Sequence, residues 1–126
     1  MARRLGIYKC TICVNVVEVF VEGGGELVCC GQPMQFMDEK TREGAGEKHL
    51  PVVEKASGKV LVKVGSVPHP MEPTHWIQMI EVVTKDGYVL RKELTPQDKP
   101  EAFFEVEEAD IQFVRELCNI HGLWMK

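Results

Sequence analysis

Trp76-Ile-Gln-Met-Ile-Glu-Val-Val83, then Asp86-Gly87, then Tyr88-Val-Leu-Arg-Lys-Glu-Leu94 is the stretch that decides the fold class. The first run is apolar almost throughout, broken by Gln78 and Glu81, and reads as a mostly buried strand. Asp-Gly is a hairpin signal, because glycine takes a positive φ at little steric cost. The third run carries the chain back beside the first.

Outward from this hairpin the pattern stays β. Val60, Val62 and Val64 alternate with Leu61 and Lys63, and Ala102-Phe-Phe-Glu-Val106 is a further short strand. Ile111 to Leu117 fits a strand or one helical turn, and periodicity does not separate the two. Short strands divided by turn residues predict an all-β sandwich over residues 38–126. Its first stretch, 38–48, is polar with two glycines and reads as a linker or as a solvated loop within one domain.

Residues 1–37 read as a separate small module. Val16 to Val21 suggests a strand, Gly23-Gly24-Gly25 a turn, and Glu26 to Cys29 a returning strand. A module below ~40 residues usually needs a metal, disulfides or a partner chain. Cys10-x-x-Cys13 and Cys29-Cys30 supply four sulfurs for such a cross-link. Two intervening residues let Cys10 and Cys13 face one ion. Adjacent strand side chains point apart, so Cys29 and Cys30 reach one ion only if the backbone turns, which Gly31 eases. Four thiolates select zinc or iron, and the donor type does not choose between them.

The composition excludes several classes. The 126 residues are 44% hydrophobic and 27% charged, with a formal net charge of −4. An acidic chain is a poor partner for nucleic acid. No apolar run approaches the ~20 residues of a membrane span. Arg3-Arg4 is followed by no apolar stretch, so neither a secretory leader nor an export signal is expected, and the chain is expected in the cytoplasm. A reducing compartment and an odd count of five cysteines favour metal ligands over disulfides.

A second donor group lies beyond the module: His49, His69, His75, Cys118 and His121. His69 sits between Pro68 and Pro70, His75 follows Pro73-Thr74, and Cys118-x-x-His121 repeats the chelate spacing with mixed donors. Four imidazoles and one thiolate are too many for tetrahedral zinc. They suit a square pyramid around iron with one position left open.

Together these motifs resemble the desulfoferrodoxin family over nearly the whole chain. The resemblance rests on Cys10-x-x-Cys13, Cys29-Cys30-Gly-Gln-Pro-Met34, Glu47-Lys48-His49, His69-Pro-Met-x-x-x-His75-Trp76 and Cys118-Asn-x-His121-Gly. It implies a desulforedoxin-like module holding one iron with Cys10, Cys13, Cys29 and Cys30. It implies an immunoglobulin-like sandwich holding a second, catalytic iron, with His49, His69, His75 and His121 around the plane and Cys118 as axial thiolate. Lys48 would stand beside the open position, and Glu47 would bind there in the oxidised state. The implied activity is superoxide reduction, O2•− + e− + 2H+ → H2O2, with a small redox protein such as rubredoxin as donor and a homodimer as the assembly. One residue departs from the pattern: Val14 follows Cys13, where knuckles of this kind usually carry glycine.

Overall fold

The computed structural model describes residues 3–41 and 49–126. Glu47 and Lys48 lie outside the described residues. Contacts divide the chain into two units, Met1–Asp38 and Glu39–Lys126. Among the described residues all regular structure is β apart from one turn of 3-10 helix at Glu108–Asp110. Among the described residues no helix is long and apolar enough to cross a membrane.

In the first unit β1 (Ile7–Lys9) pairs antiparallel with β2 (Val16–Glu18), and the Cys10–Cys13 knuckle forms the turn between them. A short β3 (Val28–Cys29) pairs with β4 (Gln32–Pro33) across the Cys30-Gly31 turn, and β5 (Gln35–Phe36) returns to the free edge of β1. Tyr8 and Phe36 face each other there, edge to face at 5.2 Å. Two sequence expectations change. The strand at Val16 ends at Glu18, leaving Phe20 and Val21 exposed. The segment before Cys29 pairs with Gln32–Pro33 and not with β2. In both cases the cysteine turns set the pairing, because a chain reversal places its own flanks side by side.

The second unit is a sandwich of two antiparallel sheets. One has the order β10-β7-β6, from Glu101–Phe104, Lys59–Val64 and Pro51–Ala56. The other has the order β12-β11-β8-β9, from Gly122–Met125, Ile111–Cys118, Ile77–Thr84 and Val89–Glu93. The Asp86-Gly87 signal is realised as a hairpin in which Gly87 takes φ 97° and its N–H donates to the Thr84 carbonyl. Ile111 to Leu117 is a strand. It runs along the whole of β8, with Val114 opposite Val82 and Glu116 opposite Ile80. Cross-strand pairing settles what periodicity left open.

Val60, Val62 and Val64 send every second side chain inward to meet Ile77, Ile80, Val82, Phe104 and Val114. Each such side chain contributes about 1.5–3 kcal/mol by leaving water. The β8–β11 pair also buries charge. Glu81, read in the sequence only as a break in an apolar run, is fully buried and held by the wholly buried Arg115. Arg115 also reaches Glu39 at 3.4 Å, and Arg91 approaches the second oxygen of Glu81 at 3.9 Å. Glu39 and Lys40 fall in the expected linker, yet they belong to the sandwich. Lys40 bridges to Trp124 as a parallel neighbour.

Candidate metal centres

In the first unit the four cysteines converge, with all sulfurs within 4.8 Å of one another. No disulfide joins them. Cys13 Sγ lies 3.5 Å from Cys29 Sγ, which lies 4.0 Å from Cys30 Sγ. Four sulfurs ~2.3 Å from a tetrahedral ion would stand ~3.8 Å apart, so the observed spacing fits one ion. Cys30 at φ 54° and Gly31 at φ 75° supply the turn that brings adjacent cysteines to one point.

The knuckle aims amides at sulfur. The N–H groups of Ile12 and Cys13 each donate to Cys10 Sγ at 3.4 Å. The Cys13 and then the Ile12 amide pull the Cys10 thiol down to about 6, although burial opposes them. Cys30 is pushed up to about 12, because its neighbours Cys13, Cys10 and Cys29 share protons with it and resist another negative charge. A cation would relieve that conflict. Val14 takes φ 60°, the left-handed conformation that a glycine would take freely. The valine therefore does not prevent the knuckle; it imposes strain on it.

At one end of the sandwich the second group converges as closely. His49 precedes β6, His69 lies in the Pro68–Pro70 turn, His75 precedes β8, Cys118 ends β11, and His121 lies in the turn to β12. The donor atoms of all five lie within 4.8 Å of one another. The rings meet in a closed order: His49 against His69, His69 against His75, His75 against His121, and His121 against His49, with centroids 4.6–5.0 Å apart. Each contact is edge to face.

Three contacts identify the inward nitrogens. His69 Nδ1–H donates to the Pro70 carbonyl at 2.7 Å, which leaves the lone pair of Nε2 facing the cluster. His49 Nε2 lies 3.2 Å from that nitrogen and 3.0 Å from His121 Nδ1. His75 Nε2 is buried with no hydrogen-bond partner among the described residues, as expected of a nitrogen intended for an ion. Nitrogens ~2.1 Å from an ion stand ~3.0 Å apart at right angles and ~3.4 Å apart in a tetrahedron. The observed 3.0 and 3.2 Å favour the right angle. Cys118 Sγ lies 3.5 Å from His69 Nε2 and 3.8 Å from His121 Nδ1.

A model of the family described as desulfoferrodoxin matches residues 41–126, and a model of the desulfoferrodoxin N-terminal domain matches residues 2–37. The chain belongs to the desulfoferrodoxin family. It is 52% identical over 124 residues to a desulfoferrodoxin of Syntrophotalea carbinolica, covering 98% of this chain and 97% of that one. It is 53% identical over 124 residues to a desulfoferrodoxin of Nitratidesulfovibrio vulgaris, at the same coverage of each chain. The crystal structure of the superoxide reductase from Treponema pallidum superposes with a TM-score of 0.76 at 33% identity, covering 100% of this chain and 99% of that one. The two donor groups match two iron sites, one of four cysteines and one of four histidines and a cysteine.

The structure adds residues around the histidine–cysteine site that the motifs alone did not explain. Asn119 appears in the sequence only as a letter of Cys118-Asn-x-His121-Gly. Its Oδ1 accepts the Trp76 N–H at 2.9 Å and its Nδ2 donates to the Thr74 carbonyl at 3.0 Å. One side chain thus grips the backbone on both sides of His75. Trp124 stacks on His49, with centroids 4.8 Å apart and planes 13° from parallel. Glu116 is fully buried two residues from Cys118.

Burial raises the pKa of the Cys118 thiol. The amides of His121 and Ile120 oppose that, Glu116 adds to it, and Lys40 opposes it. The His121 N–H stands 3.5 Å from the sulfur. His69 is held down to about 4, chiefly by burial, against the pull of the Pro70 carbonyl. It is therefore a neutral donor at ordinary pH.

Proposed function

We propose that this protein is a superoxide reductase, reducing superoxide to hydrogen peroxide by one electron without releasing dioxygen. The closed ring of four imidazoles with a thiol to one side carries this reading. His49, His69, His75, His121 and Cys118 would hold one iron, and Cys10, Cys13, Cys29 and Cys30 the other. Iron bound by these residues would supply the single electron that superoxide takes.

The side chains do the rest. Neutral imidazoles and one thiolate leave a ferrous site at about +1, so the site attracts an anion although the chain carries −4. As a thiolate, the buried Cys118 would push electron density toward bound iron, and the His121 amide would moderate it. Lys48 would add a positive lip and, through water, would organise proton delivery. Glu47 would bind the iron in the oxidised protein. The catalytic unit is residues 38–126 and the desulforedoxin-like unit residues 1–37. A small redox protein of the rubredoxin kind returns the electron, the chain works as a homodimer, and it does so in the cytoplasm.

Metal content, visible spectra and pulse radiolysis test this together. Two irons per chain, visible absorption lost on reduction, and peroxide formed without dioxygen are expected. Colourless zinc protein, or dioxygen among the products, rejects it. In Lys48→Ala the capture of superoxide should slow, with a weaker dependence on ionic strength; an unchanged rate at two salt concentrations removes Lys48 from the reaction. Glu47→Ala should alter the ferric spectrum while leaving the capture rate nearly intact.

A further inference from the structure

Lys40 touches this centre from a segment whose polar composition reads as a linker. Its ammonium donates to the carbonyl oxygen of His121 at 2.7 Å. The same ammonium stands over the Trp124 ring, 5.1 Å from its centroid, and that ring stacks on His49. The backbone fixes the arrangement. Lys40 N–H donates to the Leu123 carbonyl, and Met125 N–H donates to the Lys40 carbonyl. An exposed lysine ordinarily wanders, at a cost in rotamer entropy if it is held. This one has an acceptor, an aromatic face and a strand pairing to hold it.

We propose that Lys40 is a positioning residue that tunes the histidine–cysteine iron toward its reduced state. The proposal rests on the reading of that group as an iron centre. Two routes lead from the ammonium to the donors. One runs through His121, whose carbonyl takes the Lys40 hydrogen bond and whose amide stands against Cys118 Sγ. That bond pins the ammonium to the residue that supplies one of the four imidazoles. The other runs through Trp124, whose polarised ring backs the His49 imidazole. Both routes, and the bare charge, disfavour the ferric state, which carries one positive charge more than the ferrous.

The test is a redox titration of the iron-loaded protein, followed by visible absorption, for wild type, Lys40→Arg, Lys40→Gln and Lys40→Met. Lys40→Gln keeps a donor for the His121 carbonyl and removes the charge. At a fixed poise the ratio of oxidised to reduced histidine–cysteine iron should rise several-fold in Lys40→Gln and Lys40→Met. A tenfold rise equals a 59 mV lower midpoint for one electron. Lys40→Arg should stay near wild type, and the four-cysteine iron should not move. The differences should shrink with added salt, because the charge is exposed.

Equal midpoints in wild type and Lys40→Gln overturn the proposal, as does a parallel shift of both irons. Thermal unfolding of each metal-free variant separates tuning from a loosened fold: a shift that tracks lost stability across the series counts against it. Wild-type protein that binds iron and reduces superoxide, with Lys40 variants unshifted, defeats this inference and leaves the functional reading standing. Failure to bind iron defeats that reading first.

Discussion

The carbonyl oxygen of Pro70 accepts the Nδ1–H of His69 across 2.7 Å, and this bond decides which nitrogen of a buried imidazole faces the metal donors. The ring cannot turn over without giving up that bond inside the protein. A donor fixed in this way needs no reorganisation when an ion arrives.

The same ring gives a pH dependence. His69 falls from 6.5 to about 4 in the folded, metal-free protein, with burial as the main cause. Its folded pKa is depressed, so the unfolded chain takes up the proton first as pH falls. The stability linked to this group is complete above about 6.5 and is lost as pH falls through about 4. Melting temperatures of metal-free protein between these limits should therefore drop, and His69→Gln should flatten the drop. An equally steep profile in the variant would exclude His69 as its source.

Val14→Gly should stabilise the first unit. A β-branched residue in the left-handed region costs about 1–2 kcal/mol, and glycine returns about 0.5–1 kcal/mol of that through unfolded-state entropy. The side chain is largely exposed, so little packing is lost. A net gain of about 0.5–1 kcal/mol should appear as slower iron loss to a chelator and a higher denaturant midpoint. Faster loss of iron would show that the valine contributes something the backbone angle does not reveal.

Asn119→Ala should weaken the histidine–cysteine site without emptying the fold. Two hydrogen bonds around His75 disappear, at about 1–3 kcal/mol in total, and iron affinity should fall about 10–100-fold. Asn119→Asp sharpens the reading, because a carboxylate can accept from Trp76 N–H and cannot donate to the Thr74 carbonyl. Competition with a chelator measures both. Wild-type affinity in each variant would mean that Asn119 does not place His75.

Arg115→Met tests the buried charge of the sandwich. It leaves Glu81 fully buried without its main partner, and breaking such a pair costs about 3–5 kcal/mol. Chemical denaturation should show that loss, and Arg115→Met with Glu81→Leu should recover much of it. A double variant as unstable as the single one would mean that shape, not charge, is what the pair supplies.

Much of the site was legible because metal donors are few in kind. Cys10-x-x-Cys13 and Cys118-x-x-His121 each place two donors on one short turn, and the prolines around His69 announce a stiff approach. Local spacing could not predict that β3 pairs with β4 while β2 pairs with β1. Nor could it show Glu81 as a core residue, since its partner Arg115 is 34 positions away.

From sequence alone came the donor inventory, its division between two units, and the β character of the second, because side-chain chemistry and period-two patterning are local properties. Tertiary structure alone decided the order of the four rings, the nitrogen each presents, the grip of Asn119 on the flanks of His75, and the seat of Lys40 beside His121. These depend on angles and distances between strands far apart in the chain. Only packing and hydrogen bonding across the sheets set them.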